Sequence, residues 1–114
     1  MWTIYHNPRC SKSRQTLQLL QDNGIEPEVV LYLETPPGKD TLAELLKKLG
    51  IGARELLRTG EDVYKDLQLK DQGLSEEQLL DAMARHPILI QRPIVVKGNQ
   101  AVLGRPPENV LELL

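Results

Sequence analysis

The sequence predicts an α/β fold: a four-stranded mixed sheet made of a βαβ half and a ββα half, with a mostly helical insertion at about residues 39–86 between them. Three observations carry this expectation. A strand, a helix and a second strand follow one another within the first 32 residues. The middle of the chain has helical periodicity. Strand character then returns near the C-terminus as two short runs around a Gly-Asn turn. At 114 residues the chain is expected to form one domain, 1–114, because two would each bury too little apolar surface.

Trp2-Thr-Ile-Tyr5 is β-prone and is stopped by Asn7-Pro8. From Ser11 the pattern turns helical: Thr16, Leu17 and Leu20 share a face, Leu19 sits beside them, and Gly24 is the stop. Glu28 to Tyr32 reads as the second strand. A βαβ unit this short implies parallel pairing and a right-handed crossover. Thr35-Pro-Pro-Gly38 is a loop, after which Leu42, Leu45, Leu46 and Leu49 repeat at i, i+3, i+4 and i+7. Lys47 and Lys48 complement the C-terminal dipole of that helix, and Gly50 closes it.

Short helical pieces fit Ala53–Leu57 and Asp62–Leu67. Ser75-Glu-Glu-Gln78 is a capping box that opens a helix to about Arg85, ended by Pro87. Ile94-Val-Val and Ala101-Val-Leu flank Lys97-Gly98-Asn99-Gln100, a hairpin signal. Pro106-Pro107 suits the first turn of a last helix, with Val110, Leu111 and Leu114 expected on its inner face. This order is the thioredoxin arrangement with a helical segment between its halves. The pattern also permits an unrelated α+β layering.

Composition narrows the function. Hydrophobic residues are 40% and charged residues 26%, near the globular averages. Phe is absent and aromatics are 4%, so the core is aliphatic, with few platforms on which single-stranded nucleic acid could stack. A net charge of −2 gives no basic footprint for DNA or RNA, so any anion site must be local. The apolar stretch Val29 to Leu33 is too short to cross a bilayer. One cysteine cannot form an intramolecular disulfide, which points to a reducing compartment. No secretory pattern precedes the first strand, so a cytoplasmic protein is expected. One Cys and two separated His do not make a metal set, and no Walker or dinucleotide glycine motif occurs.

The informative stretch is Tyr5-His-Asn-Pro-Arg-Cys10-Ser-Lys-Ser-Arg14. Cys10 falls where the first strand ends and the first helix begins. Backbone N–H groups and the helix dipole there favour a thiolate. Arg9, Lys12, Arg14 and His6 are close in sequence and add to that effect, so a depressed Cys10 pKa is expected. The bland alternative is a buried structural cysteine, for which three cations and two serines make a poor setting. Ser13 stands at the end of a C-x-x-S pattern, where a dithiol motif has its second cysteine. A catalytic Cys10 would therefore need an external thiol, with glutathione or a glutaredoxin as the natural source. The hydroxyls of Ser11 and Ser13 fit simple first-turn helix residues equally well. His6 either tunes the thiolate or packs under the loop.

Arg58, Arg92 and Arg105 are further candidates, the last two each immediately before a proline. A guanidinium fork matches a tetrahedral oxyanion bidentately and stays charged. Taken singly, each is more often a surface charge. Arg54 and Arg85 are read as solvated. Pro93 is the candidate cis proline of a thioredoxin-type site.

Tyr5-His-Asn-Pro, Cys10, Ser13-Arg14, Tyr32-Leu-Glu-Thr-Pro-Pro37, Leu56-Leu-Arg58, His86-Pro-Ile-Leu-Ile90, Arg92-Pro-Ile-Val-Val96 and Arg105-Pro106 run in order along the chain. As a set they resemble the glutaredoxin-linked arsenate reductase (ArsC) family. The resemblance implies a thioredoxin fold, arsenate as substrate, no bound cofactor, and glutathione with a glutaredoxin as reductant. It implies Cys10 as nucleophile with His6 close by, Arg58, Arg92 and Arg105 as the oxyanion cradle, and Pro93 as the cis proline. The chain departs from the family pattern after the cysteine, where Ser11-Lys12 replaces Gly-Thr, and at Arg9, where a small residue is usual. That loop is also similar to Spx-type regulators on the same fold, which bind RNA polymerase but use a C-x-x-C pair. The rival expectations are thus a non-enzymatic regulator, or a thiol reductase of another substrate.

Overall fold

The computed structural model describes residues 1–114, which divide into two compact units, Met1–Thr35 with Arg92–Leu114, and Pro36–Gln91. The first unit contains β1 (Trp2–His6), α1 (Ser11–Asp22), β2 (Glu28–Leu31), β3 (Ile94–Lys97), β4 (Gln100–Leu103) and a terminal 3₁₀ helix, Pro107–Leu113. Its sheet has the order β2-β1-β3-β4. Ile4 of β1 lies opposite Val29 in the parallel pair with β2 and opposite Val95 in the antiparallel pair with β3. This mixed sheet, with βαβ and ββα halves, is the thioredoxin-like architecture.

Alternation on the central strands sends Ile4 and Val95 into one aliphatic cluster with Leu20 of α1 and Val110 and Leu113 of the 3₁₀ helix. Each such side chain contributes roughly 1.5–3 kcal/mol when fully buried. The β3–β4 hairpin closes through Gly98-Asn99, between the paired Lys97 and Gln100. Gly98 sits at φ 60°, which a residue with a Cβ rarely adopts. Lys97 Nζ donates to the Leu113 carbonyl at 2.8 Å and lies 5.3 Å from the Trp2 ring centroid, which ties the chain end to the sheet.

The last helix differs from expectation. It is 3₁₀ throughout, and its buried residues are Pro107, Val110 and Leu113, whereas Leu111 and Leu114 are exposed. A three-residue period places i, i+3 and i+6 on one face, so the 3.6-residue expectation chose the wrong leucines.

In the second unit lie α2 (Lys39–Leu49), α3 (Ala53–Leu56), α4 (Asp62–Asp66), α5 (Glu76–Arg85) and a 3₁₀ turn at Pro87–Leu89. Leu42, Leu45 and Leu46 of α2 are buried, as are Leu79, Ala82 and Met83 of α5. The capping box forms: Gln78 N–H donates to Ser75 Oγ at 3.1 Å, and Ser75 N–H donates to Gln78 Oε1 at 2.7 Å. Leu57 and Ile90 make an isolated antiparallel bridge.

Arg85 is exposed and pairs with Asp81 at 3.0 Å, a surface arrangement. Arg54 is not solvated as expected. Its Nη1 donates to the Leu69 carbonyl at 2.8 Å and its Nη2 to the Asp71 carbonyl at 2.7 Å, clamping the turn after α4. No helix is long and apolar enough to cross a membrane.

Candidate active site

Cys10 is the N-cap of α1, with extended backbone at φ −94° and ψ 123°. Its carbonyl accepts from Arg14 N–H at 3.0 Å and its own N–H donates to the Asn7 carbonyl at 3.0 Å, so the residue joins a turn to a helix. The turn is held from both sides. Arg9 N–H donates to Asn7 Oδ1 at 3.0 Å, and Arg14 Nη1 donates to the Pro8 carbonyl at 2.9 Å. Arg14 thus straps the loop rather than the sulfur.

Burial pushes the Cys10 thiol up, but the Ser13 N–H, the Arg92 charge, the Lys12 N–H and a hydrogen bond from Arg92 together bring it below the ordinary thiol value. The side chain closes no conventional capping bond. The Lys12 and Ser13 amides at helix positions N2 and N3 nonetheless face the sulfur and favour its charged form. The expected depression is present. The helix-start amides act as expected, the Ser13 N–H most strongly, but the charge beside the sulfur is Arg92, just before β3, and not one of the cations flanking Cys10 in sequence.

Arg92 is half-buried, and its Nε and Nη1 are buried without a hydrogen-bond partner in the protein. Arg105 is exposed, and its Nη1 donates to the Arg92 carbonyl at 3.3 Å. The Arg92–Pro93 bond is cis, and so is Arg105–Pro106, which sequence reasoning did not foresee. Arg58 belongs to the second unit, where its Nη1 pairs with Glu61 Oε2 at 2.9 Å.

His6 is buried and reaches the site through Ser13, whose Oγ lies 2.6 Å from His6 Nδ1. Ser13 Oγ also accepts from Asn7 N–H at 3.0 Å, which leaves the hydroxyl proton to donate to a neutral imidazole. Burial, followed by the Arg14 charge, holds the His6 pKa below its usual value, in keeping with that tautomer. Ser13 is therefore no idle first-turn residue: its hydroxyl fixes His6 and its amide faces Cys10.

Sequence reasoning missed two further residues. Thr16 is fully buried in α1, and its Oγ1 is 2.8 Å from the Lys12 carbonyl and 3.2 Å from the Gly104 carbonyl. A Cβ on Gly104 would lie 2.6 Å from Thr16 Oγ1 and 2.8 Å from Pro93 Cγ, so only glycine fits there. The available signal was a threonine inside a leucine-rich face and a glycine directly before Arg105-Pro106. No group of three or more His, Cys, Asp or Glu is placed to hold a metal ion.

The ArsC family model matches residues 5–113. The chain belongs to the ArsC family. It is 62% identical over 112 residues to the uncharacterized protein YfgD of Escherichia coli (strain K12), spanning 97% of this chain and 94% of that one. It is 49% identical over 112 residues to the arsenate reductase of Haemophilus influenzae, spanning 97% of each. Among solved structures, the arsenate reductase from Vibrio cholerae is 54% identical with a TM-score of 0.97, over 99% of this chain and 97% of that one. This ArsC chain thus shares fold and length with proteins named arsenate reductases, and it is also similar to one with no assigned activity.

Proposed function

We propose that this ArsC-family chain is an oxidoreductase that reduces arsenate to arsenite through the Cys10 thiolate, with glutathione and a glutaredoxin as thiol donors. One observation carries the reading. The Arg92 guanidinium stands beside a sulfur that favours its thiolate form, and Arg92 Nε and Nη1 are buried with no protein acceptor. Buried donors left without acceptors are costly. A tetrahedral oxyanion would satisfy two of them at once, bidentately, next to the nucleophile. The names of the relatives supply arsenate as that oxyanion. By family resemblance alone, the same reading assigns Arg105 and Arg58 to the oxyanion.

In this mechanism the Cys10 thiolate attacks arsenic, and one arsenate oxygen leaves as water after protonation. Arginine hydrogen bonds stabilise the charge that shifts onto the remaining oxygens. A glutathione thiol then adds to arsenic and displaces a second water. A glutaredoxin thiolate attacks the glutathione sulfur, so an S–S bond forms and the As–S bond breaks. Its electron pair stays on arsenic, taking As(V) to As(III). Hydrolysis of the Cys10–As bond releases arsenite and restores the thiolate. With one cysteine in the chain, the second and third thiols must come from outside. A reducing cytoplasm supplies both.

The test is arsenate-dependent NADPH oxidation, coupled through glutathione, a glutaredoxin and glutathione reductase. Turnover that Cys10→Ser abolishes is the expected result. No turnover above that variant sinks the reading. Retention of a polymerase subunit that survives Cys10→Ser would then favour an Spx-like regulator.

A further inference from the structure

The buried hydroxyl of Thr16 has no obvious packing purpose. A valine would fill the same space, and a threonine that bonds back to the i−4 carbonyl gains its own helix little. Thr16 Oγ1 does more than that, because it lies within reach of two carbonyls that belong to different parts of the first unit. One is Lys12 C=O, at 2.8 Å, in the first turn of α1. The other is Gly104 C=O, at 3.2 Å, just beyond β4. Gly104 is buried, and its N–H donates to the Pro93 carbonyl at 2.9 Å. The space a Cβ would need at Gly104 is already filled by Thr16 and by Pro93 Cγ. Thr16, Gly104 and Pro93 therefore form one closely packed joint.

What hangs on either side of the joint gives it meaning. On one side is the turn of α1 whose Lys12 and Ser13 amides face Cys10. On the other, Arg92 precedes Pro93 and brings its guanidinium to the same sulfur, while Arg105 follows Gly104 and donates to the Arg92 carbonyl at 3.3 Å. The Lys12 and Ser13 amides lie at, or one residue beyond, the first acceptor, and Arg92 is the neighbour of Pro93, whose carbonyl accepts from the N–H of Gly104, the residue that carries the second acceptor.

We propose that Thr16 is a positioning residue for the nucleophile: its hydroxyl, shared between the Lys12 and Gly104 carbonyls, fixes the Arg92 guanidinium against the Cys10 sulfur. It touches neither the sulfur nor a substrate and acts through Gly104, Pro93 and Arg92. The inference concerns the reactivity of the thiolate, so it does not require arsenate to be the substrate.

The experiment compares Thr16→Val, which keeps shape and removes the hydroxyl, with Thr16→Ser, which keeps the hydroxyl. Each is made in the wild-type chain and in Arg92→Ala. The readout is the pH profile of Cys10 alkylation by iodoacetamide, on samples whose thermal melts show them folded. Thr16→Val is expected to move the profile to higher pH and to slow alkylation at neutral pH about threefold. Thr16→Ser is expected to keep the wild-type profile, and the valine effect is expected to vanish in Arg92→Ala. A valine profile that superimposes on wild type overturns the proposal. So does an equal valine effect with and without Arg92. Should the valine chain not fold, a serine profile shifted to higher pH overturns it, and an unshifted one supports it.

Discussion

The hydroxyl of Ser13 lies 2.6 Å from Nδ1 of His6, and both side chains are buried. The backbone amide of the same serine faces the Cys10 sulfur. One residue thus divides its two polar groups between a structural histidine and a reactive thiol, which separates their effects experimentally.

Ser13→Ala leaves His6 Nδ1 and the Asn7 N–H without their shared partner, yet it keeps the amide that faces the sulfur. Stranding buried polar groups costs about 1–3 kcal/mol. Urea unfolding is expected to show that loss, with Cys10 alkylation nearly unchanged. Alkylation that collapses along with stability would mean that the hydroxyl itself acts on the thiolate.

Stability is expected to fall on acidification through two groups. His6 has a lower pKa folded than unfolded, first through burial and then through Arg14. Below about 6.5 the unfolded chain binds a proton that the folded chain refuses, so stability drops until the folded value is passed. The Cys10 thiol is also depressed on folding, the Ser13 amide and Arg92 outweighing its burial. Its contribution is complete above the unfolded value of about 8.5 and is lost as pH falls through the folded one. Unfolding curves across pH should show His6→Gln and Cys10→Ser each flattening part of the fall.

Gly104→Ala places a methyl group 2.6 Å from Thr16 Oγ1 and 2.8 Å from Pro93 Cγ. Overpacking of this kind costs about 1–3 kcal/mol. A lowered melting temperature is expected, and Thr16→Ala made in the same chain should recover part of it. Wild-type stability in the single variant would show that the joint is loose.

Arg54→Met keeps the aliphatic stem but removes the two donors that hold the Leu69 and Asp71 carbonyls. Hydrogen bonds from a charged donor contribute about 1.5–3 kcal/mol each, less where solvent reaches them. Amide exchange in the turn after α4 is expected to speed up, with Cys10 reactivity untouched. An unchanged exchange pattern would return Arg54 to the status of a solvated charge.

Much of the fold was legible because it rests on local codes. The Ser75–Gln78 box, the Gly98-Asn99 turn and the i, i+3, i+4 leucines of α2 each write their structure within a few residues. The terminal helix was misread because 3₁₀ and α periods share the i, i+3 step and part company one residue later. In the candidate site, the helix start at Cys10 could be read, and Arg92 was named for the oxyanion, but its effect on the sulfur was assigned to the cations nearer in sequence. Arg9 and Arg14 stand nearest in sequence, yet Arg9 is tied into the turn through its amide and Arg14 through Pro8. The effective guanidinium, Arg92, is delivered by strand pairing between β1 and β3. Arg54 was misread as solvated, and Thr16 was read only as part of a helix face, because the Leu69, Asp71 and Gly104 carbonyls they bind belong to turns that only folding brings near.

Everything proposed for catalysis depends on the Cys10 thiol being held below its ordinary value by the Ser13 amide and by Arg92. The most direct measurement follows the ultraviolet absorbance of the thiolate through a pH titration of the native chain and of Arg92→Ala. A midpoint below that of an ordinary thiol in the native chain, moving upward in Arg92→Ala, is expected. An ordinary midpoint in the native chain, unaltered by Arg92→Ala, would contradict it.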